Sequence, residues 1–302
     1  MLITKDFLKP RYWPIWVILG VLRAVILLPF KWQLALGRAI GRSLLWFPSK
    51  MKRTSITNLQ LCFPELTEPQ REALLHKSFE SVGMGVIETA LGWWASDEKL
   101  KNLVKVNGIE NVEVAFQKGK GIILCCGHFA SLELAGRLFA QRVPIAVMYR
   151  PQKNPLLEKI TRSALEKHYK AVVPREDVRG MLRCLKNNMA IFYTPDVDAG
   201  VKNSVFVPFF GIPAASVTAT PRYAKMSGAL LVPGLFYRRT DYSGYDIFTE
   251  PALANFPSED LAQDVTCINR VIEDAVRRHP EQYIWQYKRF KTRPPGEARF
   301  YK

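Results

Sequence analysis

Short apolar runs alternate with helical patterns along most of this chain. Runs at residues 103–106, 122–126, 145–149, 171–173, 190–194, 230–236 and 245–248 read as strands. Between them, residues 154–168, 177–187 and 217–227 carry helical spacing, as do residues 261–278 near the end. Thr67-Glu68-Pro69-Gln70 combines capping-box spacing with an early proline, which predicts a helix over most of residues 71–94, with Gly83 and Gly85 weakening its middle. Strand and helix in alternation imply an α/β fold, a largely parallel central sheet flanked by helices. The residues after the first 64 suffice for one core, so the chain divides into an N-terminal segment, 1–64, and a single α/β domain, 65–302.

The N-terminal segment breaks the pattern. Residues 13–30, WPIWVILGVLRAVILLPF, hold one charge, Arg23, and start with Trp13 and Trp16 at one end like an interfacial belt. Pro14 and Arg23 argue against a deep solitary span, and Lys31, Trp32 and Gln33 stand where a signal peptide would need small residues. A retained membrane-anchoring helix is expected, spanning or lying in the interface. If it spans, the excess of Lys/Arg after it places the body in the cytoplasm. Residues 31–47 continue as an imperfect amphipathic helix that either lies on the bilayer or packs on the body.

Charge sharpens this division. The formal net charge is +16, yet residues 1–64 hold ten Lys/Arg against Asp6 alone, and residues 285–302 hold six against Glu297. The long middle is nearly neutral. Two basic patches on such a body suit anionic lipid or an acidic protein. Nucleic acid is a poor fit, because the basic residues share their segment with an apolar stretch and no nucleic-acid motif appears. Five cysteines, odd in number and mostly within apolar runs, give no disulfide framework, and no Cys/His spacing matches a zinc site.

The chemistry concentrates in GIILCCGHFASLE, residues 121–133, where an apolar strand ends at Gly127, His128 follows, and Glu133 comes five residues later. On one regular helix that spacing would turn the two side chains about 140° apart, so a shared site needs His128 on the strand–helix connection. A neutral imidazole there can take a proton from a hydroxyl, with a carboxylate on its far nitrogen. The bland alternative is a capping or buried, satisfied histidine. Cys126 reads as a small core residue rather than a nucleophile. Arg150 ends the next strand and suits a phosphate or carboxylate, or a surface salt bridge. Asp196 and Asp198 follow another strand in TPDVDAG; they could bind a divalent metal, as in many glycosyltransferases, or cap the loop and pair with cations. The aromatic stretch from Ser204 to Gly211, SVFVPFFG, could line an apolar chain-binding cleft or pack on the core.

Taken in order, His128-x4-Glu133, Tyr149-Arg150-Pro151 with Asn154-Pro155, Pro195-Asp196-x-Asp198-x-Gly200, the stretch from Ser204 and Phe290-Lys291-Thr292-Arg293-Pro294 resemble the late acyltransferases of lipid A biosynthesis, within the lysophospholipid and glycerol-phosphate acyltransferase superfamily. The resemblance covers nearly the whole chain and looks closest to the lauroyl-type enzymes. It implies a glycerol-phosphate-acyltransferase-like fold and transfer of a fatty acyl group from acyl carrier protein to a 3-hydroxyacyl chain of Kdo2-lipid IVA, at the cytoplasmic face of the bacterial inner membrane. It implies no cofactor and no metal. In that scheme His128 is the general base with Glu133 orienting it, while Arg150, Asp196, Asp198 and Ser204 bind or organise substrate. The rivals are a glycerolipid acyltransferase using lysophosphatidate and a metal-dependent membrane glycosyltransferase using Asp196 and Asp198.

Overall fold

The computed structural model describes residues 5–301; Lys302 of the basic tail lies outside them. The N-terminal helices are α1 (Trp13–Val25), α2 (Phe30–Leu44) and α3 (Lys50–Cys62). The long α4 (Glu68–Trp94) follows, opened by the expected capping box, in which the Gln70 side chain accepts the Thr67 N–H at 2.8 Å. The short α5 (Asp97–Leu100) leads into β1 (Val104–Asn107), α6 (Ile109–Gln117), β2 (Ile122–Cys125), α7 (Leu132–Phe139), β3 (Ile145–Tyr149), α8 (Pro155–His168), β4 (Ala171–Pro174), α9 (Val178–Lys186) and β5 (Ala190–Tyr193). The hairpin β6 (Ser204–Phe209) and β7 (Ile212–Val217) precedes α10 (Ala219–Ser227), β8 (Leu230–Arg238), β9 (Tyr245–Thr249) and α11 (Leu261–Arg278).

Seven strands form one sheet in the order β1-β9-β8-β2-β5-β3-β4. Every pair is parallel except β8 with β9, which a short turn joins antiparallel. β2 sits in the middle, buried on both faces, and this is why it reads as an unbroken apolar run. Its side chains alternate: Ile122 and Leu124 join Phe139, Phe192 and Phe236 on one face, while Ile123 meets Leu185 and Ile191, and Cys125 meets Leu231 and Ile272, on the other. All five cysteines are free thiols.

The hairpin was not legible in the sequence. Pro208 and Pro213 interrupt any strand pattern, but they face one another in a two-stranded ribbon, where each strand keeps a free edge that can host a residue without an N–H. The aromatic stretch therefore serves as β6, with Phe209 and Phe210 packed against Phe63, Trp285 and Phe290.

The N-terminal expectation needs correction. Residues 13–30 are not one helix: α1 stops at Val25, Leu27 and Leu28 lie in a turn, and α2 begins at Phe30. Pro29 explains the break, since its ring disfavours helix at Leu28 and it has no N–H to give. Thirteen helical residues rise about 20 Å, against about 30 Å of bilayer hydrocarbon. Among the described residues no helix is long and apolar enough to cross a membrane. The apolar side chains are nonetheless on the outside: Trp13, Val17, Ile18 and Val21 of α1, Leu27 and Leu28 of the turn, and Trp32, Leu36, Ile40 and Leu44 of α2 are exposed.

α2 is fastened to the body by backbone contact with α4. A Cβ on Gly37 would lie 2.6 Å from Met84 Cα, and one on Gly41 would overlap the Phe79 carbonyl, so the helices meet where Gly37, Gly41 and Gly83 remove side chains. Deeper in, Glu88 of α4 and Arg238 at the end of β8 form a fully buried bidentate pair, 2.6 Å from Nε to Oε1 and 2.7 Å from Nη2 to Oε2. Ser81 Oγ takes a third guanidinium hydrogen at 3.0 Å, and the Tyr245 hydroxyl donates to Glu88.

Two glycine substitutions should therefore have opposite signs. Gly41→Ala is expected to destabilise by about 1–3 kcal/mol through forced separation of α2 from α4. Gly20→Ala, on α1 with nothing within 4 Å of its new methyl, should be neutral or stabilise by up to about 1 kcal/mol. Urea unfolding followed by circular dichroism compares them; equal effects would mean the α2–α4 contact is not this close.

Candidate active site

Sheet topology brings His128 and Asp196 together. β2 and β5 are parallel neighbours with Cys125 opposite Tyr193, and each residue of interest lies three positions beyond that pair. Both therefore leave the same edge of the sheet at the same height, at the carboxyl ends where ligands gather in such folds. The Asp196 carboxylate is buried and holds three contacts. Oδ1 lies 2.6 Å from His128 Nδ1; Oδ2 accepts the His128 backbone N–H at 2.8 Å and the Tyr283 hydroxyl at 2.8 Å.

This network assigns the tautomer. An ionised carboxylate only accepts, so Nδ1 carries the hydrogen and Nε2 presents a lone pair. That nitrogen faces the Thr194 hydroxyl at 3.2 Å. Burial alone would depress the histidine and raise the aspartate, but each partner's charge and the hydrogen bonds between them overcome it. His128 is pushed above its ordinary value and Asp196 below. The imidazole itself keeps part of its surface open, with 39% of the side chain accessible.

The last segment of the chain clamps this loop. His128 C=O accepts from Ile284 N–H at 3.0 Å, Gln282 C=O accepts from Ala130 N–H at 2.8 Å, and Phe129 bridges to Tyr283. On the other side α4 comes so close that a Cβ on Gly85 would stand 2.5 Å from the Ala130 carbonyl oxygen. The two glycines that looked like weak points of α4 are where α2 and the histidine loop touch it.

The carboxylate on the His128 imidazole is that of Asp196, where Glu133 was expected. Glu133 is in the first turn of α7, its residue surface exposed, while the side chain is hemmed in closely enough that desolvation raises its carboxyl. Its charge is felt by half-buried Tyr169, whose phenol is pushed up first by desolvation and then by Glu133. Both nitrogens of His128 are taken by Asp196 and Thr194, so Glu133 holds neither.

The remaining candidates are dispersed. Arg150 is exposed just past β3, two strands from β2 and thus about 10 Å along the sheet edge. Glu176 is held low mainly by Arg175, with Arg150 a lesser contributor. Asp198 ties down the C-terminal segment: Oδ2 accepts Thr292 N–H at 2.7 Å, Oδ1 accepts Thr292 Oγ1 at 2.8 Å, and its N–H donates to the Tyr287 hydroxyl at 3.0 Å. Ser204 opens β6 opposite Val217, its hydroxyl buried without a partner. With Asp196 on His128 and Asp198 on Thr292, the two carboxylates do not converge on a common point. Among the described residues no group of three or more His, Cys, Asp or Glu is placed to hold a metal ion. Cys126 is buried, and burial pushes its thiol well up, which removes it as a nucleophile.

Sequence reasoning missed Tyr283 and Thr194. Thr194 was within reach, two residues before Asp196 in the same loop. Tyr283 lies 155 positions from the histidine, and nothing local in YIWQYKRF marks it.

A family model described as bacterial lipid A biosynthesis acyltransferase matches residues 2–292. The lipid A biosynthesis lauroyltransferase of Escherichia coli (strain K12) is 38% identical over 294 residues, 97% of this chain and 96% of that protein. The palmitoleoyltransferase of the same pathway and organism is 35% identical over 299 residues (99% and 97%), and the myristoyltransferase 28% over 306 residues (99% and 93%). A solved 1-acyl-sn-glycerophosphate acyltransferase from Thermotoga maritima aligns at a TM-score of 0.38 and 14% identity, covering 76% of this chain and 95% of that one, a likeness too distant to carry argument.

The electrostatics of the dyad can be read by NMR. The His128 imidazole should titrate above its ordinary 6.5, because Asp196 favours the charged form. In Asp196→Asn the partner charge is gone and burial remains, so the midpoint should fall below 6.5. Glu133→Gln should leave it nearly unmoved; a large shift there with none in Asp196→Asn would reverse the assignment.

Proposed function

This chain belongs to the bacterial lipid A biosynthesis acyltransferase family and is an acyltransferase, and we propose that it moves a fatty acyl group from acyl carrier protein to a 3-hydroxyl of Kdo2-lipid IVA with His128 as general base. One observation carries the catalytic part: Nδ1 of His128 is held by a buried carboxylate at 2.6 Å while Nε2 faces a hydroxyl oxygen at 3.2 Å. An imidazole so held has one basic nitrogen, correctly aimed.

In the proposed reaction the acceptor hydroxyl takes the place beside Nε2 that Thr194 Oγ1 occupies. Its proton passes to Nε2 as its oxygen attacks the thioester carbonyl. The imidazolium that forms is stabilised by Asp196, which Tyr283 and the His128 N–H keep ionised. Collapse of the tetrahedral intermediate expels the thiolate, and the proton on Nε2 returns to the leaving sulfur, so the histidine finishes as it began. Glu133 is assigned to the substrate rather than to the imidazole, and Arg150, exposed on the same sheet edge, to a phosphate of donor or acceptor. Asp198 acts by holding the C-terminal segment.

The exposed apolar surface supports a reading of location. We place the protein at the cytoplasmic face of the inner membrane, lying in the interface on the exposed apolar residues of α1 and α2 rather than spanning. The ten basic residues of the first 64 support attraction to anionic lipid, and an acidic carrier protein suits the same charge. The donor chain is expected to be lauroyl or close to it. Relatives named for three different chains resemble this one, so mass spectrometry must decide.

Incubating Kdo2-lipid IVA with the purified protein and carrier proteins loaded with C10 to C16 chains should add the mass of one acyl group. His128→Ala should lower the rate by about 10²–10⁴. The wild-type rate should climb with pH as His128 loses its proton, through a midpoint above 6.5. Near-normal turnover by His128→Ala would sink the general-base assignment, and turnover only with a lysophosphatidate acceptor would redirect the substrate.

A further inference from the structure

A cavity of about 620 Å³ lies on the far side of the histidine clamp, between α2, α4, the β8–β9 turn and the end of α11. Gln282 forms part of both walls: its carbonyl holds the histidine loop, while its side chain pairs with the Arg238 backbone at 2.8 Å in both directions. No step of the proposed reaction uses this cavity.

Its charge is unbalanced on one side. Glu80 is shared by Arg38 at 3.3 Å and Arg42 at 2.6 Å, and Lys77, one turn earlier on α4, is exposed without an ion-pair partner among the described residues. Three cations thus line this side against one carboxylate. Elsewhere Arg238 is matched by Glu88, Arg239 by Asp246 at 2.9 Å and Arg278 by Glu250 at 3.4 Å, while Glu281, beside His279 at 3.5 Å, adds one carboxylate on the opposite wall. Arg38 is further fixed against the Tyr242 ring, 5.2 Å from its centroid.

Position along α2 says which anion could arrive. Trp32, Leu36, Ile40 and Leu44 form one exposed apolar stripe, whereas Arg38 and Arg42 lie about 160° around the helix from it, with the buried Leu34, Gly37 and Gly41 between. A helix resting its apolar stripe in the acyl region therefore lifts the arginines by about 10 Å, one helix diameter. That is close to the level of lipid headgroups.

The geometry points to a binding site for a phosphomonoester on a membrane lipid headgroup, held by Lys77, Arg42 and Arg38. A monoester offers three acceptor oxygens and up to about two negative charges to Lys77, Arg42 and Arg38, more than a singly charged diester can. The site rests on the interfacial reading of α1 and α2, and inorganic phosphate would offer the same oxygens from a free source.

The test is flotation of the full chain with phosphatidylcholine vesicles doped either with phosphatidic acid, a monoester, or with phosphatidylglycerol, a diester, matched in zeta potential. Wild type should prefer the monoester vesicles about fivefold or more. Lys77→Gln/Arg42→Gln, checked for native circular dichroism, should lose that ratio while still binding both vesicles, and His128→Ala should retain it. The site is overturned if wild type shows no preference or if the double variant keeps it. Binding to no vesicle at all would overturn the interfacial reading as well. Loss of the preference in low-millimolar inorganic phosphate would show that the cavity takes the free anion and overturn the lipid source.

Discussion

The buried pair of Glu88 and Arg238 is the constraint on which the architecture turns. Two charges with no water around them are tolerable only if nearly every lone pair and proton is used, and here Ser81, Tyr245 and the bidentate geometry do this. Removing one partner of such a pair costs about 3–5 kcal/mol, a large share of the roughly 5–15 kcal/mol by which proteins are stable. The pair therefore dictates where α4 can lie on the sheet. It also dictates where the chain must return: the Arg238 backbone takes the Gln282 side chain, Gln282 takes Ala130, and the neighbouring Tyr283 takes Asp196. A charge pair at one end of β8 is thus connected, bond by bond, to the histidine at the end of β2.

Asp196 repeats the same logic at smaller scale. It stays ionised in a buried place because a backbone N–H, a phenol and an imidazole all point at it. The histidine gains a fixed tautomer from this arrangement. Its second nitrogen faces the Thr194 hydroxyl.

How much of this was visible in the chain depends on distance along it. All seven sheet strands were marked by apolar runs, α11 by helical spacing over its full length, and α4 by its capping box, because each signal is local. The hairpin was hidden by Pro208 and Pro213, whose usual meaning is reversed on a two-stranded ribbon. Residues 13–30 looked like one helix because apolar composition outweighs a single Pro29, yet that proline ends it. At the candidate site, the sequence singled out His128 but not which carboxylate bonds it. Glu133 was chosen for nearness in sequence, whereas Asp196 reaches the imidazole because β2 and β5 are neighbours, a fact of strand order that no spacing motif contains. Tyr283 was invisible for the same reason, more strongly.

That distance has a temporal side. A ribosome makes the chain from one end, at about 5–20 residues per second, and early segments begin to fold while later ones are still unmade. β2, α4 and the histidine loop are all present long before residue 283 emerges, but the loop has no clamp and Asp196 lacks its phenol until then. The nascent polypeptide therefore exposes its apolar N-terminal helices before the histidine loop has its last partners. A chain cut short before Tyr283 would hold His128 and Asp196 without the phenol and the strand segment that fasten them.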